Sequence, residues 1–502
     1  MTGNELRRDV FSSFHYLIMS RTNKTLPIFE KVEILDAGSE GKAVARIDNK
    51  VIFIPFVVPG DVIDVQVIAR KKAYMEGKAI RFHQYSLRRA EPFCEHFGIC
   101  GGCRWQHMTY ENQLYYKQKQ VEDNLMRIGK IENPNISPIV PSPRIRNYRN
   151  KLEFTFSNHR WFTESKGDPD DSPKETNALG FHIPMMFDRV LDINLCHLQE
   201  DPSNSIRLFV RNYALTNGLS FYDIRRWEGF LRNLIIRNTT TGDLMVILVV
   251  REDDRPVINK LLDELANRFP AITSLYFVVN PKKNDVIYDL PTNLYRGSPF
   301  ILEKMKSFLT GKSGLDFQIG PVSFFQTNSY QAANLYKFIA ELSGFKGNEI
   351  VYDLYTGTGT IALYIAQSVR RVIGIESVPS AIEDARKNTL LNDIRNAWFF
   401  SGEVEKLMTP DFFVENGHPD IIITDPPRSG MHEKAVRSIL TAAPEKLIYV
   451  SCNSATQARD LVLLHEQYNL VKCQPFDMFP QTHHVENVAL LMKKGASPSA
   501  LE

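Results

Sequence analysis

The chain has 502 residues, 43% of them hydrophobic and 24% charged, the composition of a soluble globular protein with room for two to four domains. Sixty Lys and Arg against 58 Asp and Glu leave a formal net charge of +2. This excludes a whole-molecule attraction to nucleic acid and leaves that role to local basic clusters.

No apolar run approaches the roughly 18 residues needed to cross a bilayer, so no membrane partner is expected. The opening stretch lacks a secretion signal, because its apolar part, Phe14–Met19, is short and broken by His15. A cytoplasmic protein is expected. Residues 1–21 read as a flexible extension, with Met19 as an alternative start. Residues 22–85 hold five short strand-like runs separated by turns such as "DNK" and "PGD". Five strands in so short a span predict a small barrel of the kind that often binds nucleic acid. The cluster "ARKKAY" (69–74) suits RNA and a solvated turn equally.

"CEHFGICGGC" follows, with Cys94, Cys100 and Cys103 inside ten residues. Clustering of this kind suggests a metal or a cluster. A helix is predicted over "NQLYYKQKQVEDNLMRIG", ending at Gly129. Residues 140–310 read as α+β. Within them "PRIRNYRNKLEF" interleaves Arg144, Arg146, Arg149 and Lys151 with Tyr148, which suits phosphate contact and base stacking. The segment 163–176 is a polar loop.

From about residue 315 strand and helix alternate, which predicts a mostly parallel doubly wound sheet with its ligands beyond the carboxyl ends of the strands. In "DLYTGTGT" (353–360) Gly357 and Gly359 permit a tight turn, and Glu376 closes the next strand, placed to accept from ribose hydroxyls. Asp425 in "DPPR" ends a third strand. With no third glycine to complete a pyrophosphate cup, S-adenosylmethionine suits the loop better than NAD. Cys452 in "SCN" is either a small core residue or a nucleophile presented at a strand end. Glu486, at the start of the last strand-like run, favours the second reading. Thiol, carboxylate and methyl donor together suit methylation of a pyrimidine at C5. Cys452 would add to C6 and Glu486 would remove the C5 proton, with His483 and His484 as rival bases.

The motifs "SFFQTN", "DLYTGTG", "IIITDPPR", "SCN" and "MFPQTHHVENVALL", in this order, resemble the RNA (uracil-5-)-methyltransferase family, closest to its RlmD-type 23S rRNA enzymes. The resemblance implies a nucleophile at Cys452, a base at Glu486 and S-adenosyl-L-methionine contacts at Gln326, Tyr355, Glu376 and Asp425. It also implies a [4Fe–4S] cluster on Cys94, Cys100, Cys103 and Cys196. Thr356 and Thr360 depart from the family's Cys and Asn in the glycine loop. The implied fold is multidomain α/β: an N-terminal OB-like TRAM β-barrel (22–85), an α+β central domain bearing the iron–sulfur cluster and binding RNA (86–312), a C-terminal Rossmann-like class I methyltransferase domain (313–495) and a tail (496–502). The implied partner is RNA, 23S rRNA in the first place, and the expected state is a monomer. The family's tRNA branch, which typically lacks the barrel and the cluster, is the alternative. A non-catalytic RNA-binding or assembly factor is the rival of another class, against which the intact Cys452, Glu486 and cofactor motifs weigh.

Overall fold

The computed structural model describes residues 26–162, 175–306 and 314–495. The expected extension (1–21) and tail (496–502), with most of the polar loop at 163–176, lie outside the described residues. The chain divides into two compact units, one from residues up to 112, 154–195 and 214–232, the other from 113–153, 196–213 and 233 onward.

In the first unit the short alternating runs form a six-stranded sheet, one strand more than predicted. Its order is Ile28–Glu33, Val62–Arg70, Tyr74–Gln84, Lys50–Ile54, Ala43–Ile47, Asp36–Ala37. Irregular pairing between Val62–Arg70 and Tyr74–Gln84 bends these strands, as bulges do. The sheet encloses Ile34, Ala45, Ile52, Ile54, Ile63 and Val65. Asp61, wholly buried, accepts from the amides of Val58 and Ser86 and grips the Arg89 guanidinium at 2.8 and 2.7 Å. The loop and the segment after the last strand are thereby tied together. Further on, Thr155–Ser157 pairs antiparallel with Ala178–His182, which pairs with Val190–Asp192.

The second unit contains the predicted doubly wound sheet. Its order is Ala397–Ser401, Arg371–Glu376, Ile350–Leu354, Ile421–Thr424, Lys446–Ser451, Glu486–Lys493, Tyr468–Phe476. The central strands are buried along nearly their whole length, as expected of parallel strands covered on both faces. Helix Glu433–Ala442 turns Ala435, Val436, Ile439 and Leu440 inward. Asn328 and Asn453 cap the helices Ser329–Ser343 and Ser454–Leu464 with their side-chain oxygens. Chain order reverses on either side of Ile350–Leu354, which makes that strand end a topological switch point. Glu486–Lys493 is antiparallel to both neighbours, with Asn487 opposite Ser451. Its first residue therefore lies at the same edge as the carboxyl ends of the parallel strands. The unit also holds the parallel pair Leu244–Val250 and Ser274–Val279, joined by helix Arg255–Arg268.

Candidate active site

Four loops leave the sheet's carboxyl edge, and each is shaped by local chemistry. After Ile350–Leu354 the backbone takes positive φ at Tyr355 (62°), Gly357 (55°) and Gly359 (78°). A Cβ at Gly359 would stand 2.9 Å from the Phe399 ring, so only glycine fits beneath that aromatic. A Cβ at Gly357 would meet nothing within 4 Å, so this stretch of backbone faces open space. Its N–H donates to Glu376 Oε2 at 3.2 Å, which brings the carboxylate at the end of the next strand onto the glycine loop. After Lys446–Ser451, the Ser451 hydroxyl accepts from the Asn453 amide at 3.1 Å and turns the chain at once, presenting Cys452. Asn453 Nδ2 and Thr456 Oγ1 both donate to the carbonyl of Arg428, at 3.0 and 3.2 Å, lacing this turn to the "DPPR" loop.

These loops surround a cavity of about 320 Å³. Its lining includes Gln326, Tyr355, Asp425, Cys452 and Glu486, five of the six residues singled out in the catalytic domain. Glu376 stands behind it on the Gly357 amide. Asp353, Thr356, Arg428, Phe324 and Phe479 also line it. The first three lie inside the quoted motifs, which give them no role on their own. Their signal was position at a strand end; Phe324 and Phe479 carried none beyond their motifs.

The electrostatics are those of an acidic pocket. Asp353 Oδ2 accepts from Thr356 Oγ1 and from the Ala362 amide, while Oδ1 is buried with no hydrogen-bond partner among the described residues. Burial pushes Asp353 up to about 7, and burial with the charge of Asp353 pushes Asp425 to about 7. Burial, then the charge of Asp425, raises Glu486 well above the usual carboxylate range, with Arg428 opposing. Its Oε1 likewise lacks a partner among the described residues. Burial first, then Glu486 and Asp425, lift the Cys452 thiol to about 11, while the Arg428 guanidinium works the other way through charge and a hydrogen bond. His484, 3.4 Å from Arg428, is driven down to about 3 by burial and then by neighbouring His483 and Arg428. The open space at Gly357, the orphaned carboxyl oxygen of Asp353 and the acidic strand ends fit a cofactor that carries a cationic centre and hydroxyl donors.

The raised carboxyls have a consequence for stability. The folded chain keeps protons that the unfolded chain releases near about pH 4, so these groups favour folding less and less as pH rises from about 4 to about 7. Asp353→Asn removes one of them. Its gain in melting temperature over the wild type is expected to be larger at about pH 8 than at about pH 5. Equal gains in melting scans at the two pH values would contradict the assignment.

Tyr148, read as a stacking aromatic, is only 2% exposed and donates to the Pro480 carbonyl at 3.0 Å. The ring belongs to the core, and the aromatic that lines the cavity is Phe479, over which the Arg149 guanidinium lies at 5.8 Å. Arg144 and Arg146 are exposed. Among the four clustered cysteines, burial raises the Cys94 thiol, and Cys100 Sγ accepts from the Gly102 amide at 3.4 Å. Among the described residues no three His, Cys, Asp or Glu side chains are grouped so as to hold a metal ion. Among the described residues no helix is long and apolar enough to cross a membrane.

The profile of the family described as tRNA (Uracil-5-)-methyltransferase matches residues 310–494, and that of the TRAM domain matches residues 30–80. An RNA methyltransferase of Bacteroides thetaiotaomicron is 53% identical over 456 residues, 90% of this chain and 99% of the relative. One of Porphyromonas gingivalis is 51% identical, covering 92% of this chain and 99% of the relative. Among solved structures, the Pyrococcus abyssi tRNA (uracil-54, C5)-methyltransferase in complex with S-adenosyl-L-homocysteine superposes with a TM-score of 0.69. It is 29% identical and covers 92% of this chain and 100% of its own. The chain belongs to the RNA (uracil-5-)-methyltransferase family, as an S-adenosylmethionine-dependent enzyme with a TRAM domain near its N-terminus.

Proposed function

We propose that the enzyme forms 5-methyluridine in 23S rRNA, with Cys452 as nucleophile and Glu486 as base. The observation that carries this reading is the meeting of one thiol, the half-buried carboxyl of Asp425 and the buried carboxyl of Glu486 in a single cavity. Uracil C5 is a weak nucleophile. Addition of the Cys452 thiolate to C6 pushes an electron pair through C5 onto the C4 carbonyl and makes C5 electron-rich. Arg428 is the cation beside the thiol and favours its ionised form. S-adenosylmethionine, when bound, supplies the methyl group as an electrophile. Gln326, Tyr355, Glu376 and Asp425 would hold it, Glu376 through ribose hydroxyls. C5 then bears both the methyl and its original hydrogen. Glu486 takes that proton, the C5–C6 double bond re-forms and sulfur leaves C6. A carboxylate of raised pKa is a stronger base than an ordinary one. His484, held neutral by burial, is a weaker base and a poor rival.

In this reading residues 22–85 are the RNA-binding barrel, 86–312 the central RNA-binding part and 313–495 the catalytic domain of a cytoplasmic monomer. The TRAM match and the cysteine pattern favour rRNA. One observation favours tRNA instead: the similar Pyrococcus abyssi tRNA (uracil-54, C5)-methyltransferase covers 92% of this chain. Methyl transfer to unmodified 23S rRNA and to unmodified tRNA separates the two; incorporation into tRNA alone would refute the rRNA assignment. The [4Fe–4S] cluster rests on the pattern of Cys94, Cys100, Cys103 and Cys196 and on the family resemblance. Anaerobically purified protein is expected to be brown, with iron and acid-labile sulfide in equal amounts. A colourless protein without sulfide would reject the cluster.

Cofactor binding supplies a further test. Glu376→Ala is expected to weaken S-adenosylhomocysteine binding at least about tenfold by calorimetry, the scale of losing charge-assisted hydrogen bonds to a ligand. Unchanged affinity would remove Glu376 from the cofactor site.

A further inference from the structure

The loop that brings Phe479 to the cavity and leads into Glu486, residues 477–485, forms neither helix nor strand. It is held instead by helix Tyr110–Arg127, which lies far away in the sequence and outside the residues matched by the methyltransferase family profile. Lys117 Nζ stands 2.6 Å from Asp477 Oδ1, and both side chains are wholly buried. The same ammonium donates to the Phe479 carbonyl at 3.0 Å. Four residues earlier, on the same helix face, Gln113 exchanges two hydrogen bonds with Gln481. The Gln481 amide donates to Gln113 Oε1 and Gln113 Nε2 donates to Gln481 Oε1, each at 3.0 Å. Gln481 has φ 69°, a left-handed backbone that a residue with a side chain keeps only when its surroundings enforce it.

Packing alone does not explain the pair. Removing a lysine and an aspartate from water costs more than burying apolar side chains of similar volume, and such pairs are often replaced without loss of stability. Apolar residues at these positions would join the helix to the loop equally well. They would not fix the Phe479 carbonyl, and so they would not fix the ring that walls the cavity. We infer that Lys117 and Gln113 are positioning residues. They hold the 477–485 loop in the one shape that sets Phe479 against the target base and delivers Glu486 to the proton at C5. The inference rests on the roles of Cys452 and Glu486 proposed above.

The test uses the full-length enzyme. Lys117→Met with Asp477→Leu removes both charges together and keeps the volume filled. This double variant is expected to stay folded, to keep its KM for S-adenosylmethionine within about twofold, and to lose at least about tenfold in kcat, the scale of a slightly misplaced catalytic group. Amides of residues 477–485 are expected to exchange faster with deuterium. A folded double variant with wild-type kcat would overturn the inference and leave the pair a core contact. If the double variant does not fold, Gln113→Leu, which leaves the ion pair in place, decides. It is expected to lower kcat at least about threefold with the cofactor KM unmoved, and wild-type kcat there would overturn the inference. Covalent capture of 5-fluorouridine RNA by the wild type, run alongside, separates this failure from failure of the Cys452 and Glu486 roles themselves.

Discussion

Cys452→Ala is expected to lower turnover on RNA by on the order of 10⁴-fold or more while leaving S-adenosylhomocysteine binding within about twofold. The reasoning begins with the substrate. Without covalent addition at C6 the C5 carbon has no electron pair to offer a methyl group, and no other described side chain lining the cavity is a thiol. The substitution removes a single sulfur from a site that faces space, so no packing defect follows. The glycine loop at Tyr355–Gly359 and the Glu376 contact to Gly357 lie on neighbouring strands and stay in place. Single-turnover methyl transfer and calorimetry read the two effects separately. A variant that kept even a tenth of wild-type turnover would exclude the thiol-addition scheme.

Glu486→Gln is expected to separate the two halves of the reaction. The amide keeps the shape of the carboxyl but cannot take a proton. Thiol addition and methyl transfer then proceed, and release fails, so a methylated RNA–protein adduct accumulates while overall turnover falls by about 10²–10⁴-fold, the range for a lost general base. The change also removes a buried acid that the structure holds well above its ordinary pKa. Denaturing gels with labelled RNA show the adduct directly. Loss of turnover with no adduct would shift Glu486 from proton removal to an earlier step.

Much of the catalytic half was legible because parallel strands obey a rule. Once Ile350–Leu354, Arg371–Glu376, Ile421–Thr424 and Lys446–Ser451 are read as parallel strands, their last residues must share an edge. Asp425 and Cys452 then become neighbours although distant in the chain. Glu486 is the instructive case. It begins its strand, and it reaches the same edge only because that strand runs antiparallel to Lys446–Ser451, a direction that hydrophobic pattern does not reveal. Tyr148 misled because an aromatic among arginines reads the same whether its ring faces RNA or the core; only its contact with Pro480 decides. The contact of Lys117 with Asp477 was not legible at all. The helix was found from its periodicity, yet a lysine on a helix is ordinarily solvated, and its partner lies 360 positions away. In the first unit, the sheet's edge strand, Asp36–Ala37, is two residues long, too short to leave any alternation to detect.

The most direct measurement of the central claim uses RNA in which the target uridine carries fluorine at C5. Fluorine cannot leave as a proton, so the reaction halts after methyl transfer. Intact-mass and peptide analysis are expected to find the RNA joined to the peptide that contains Cys452, with one added methyl group, only when S-adenosylmethionine is supplied. An enzyme that methylates the unsubstituted RNA yet forms no such adduct would contradict covalent addition at C6.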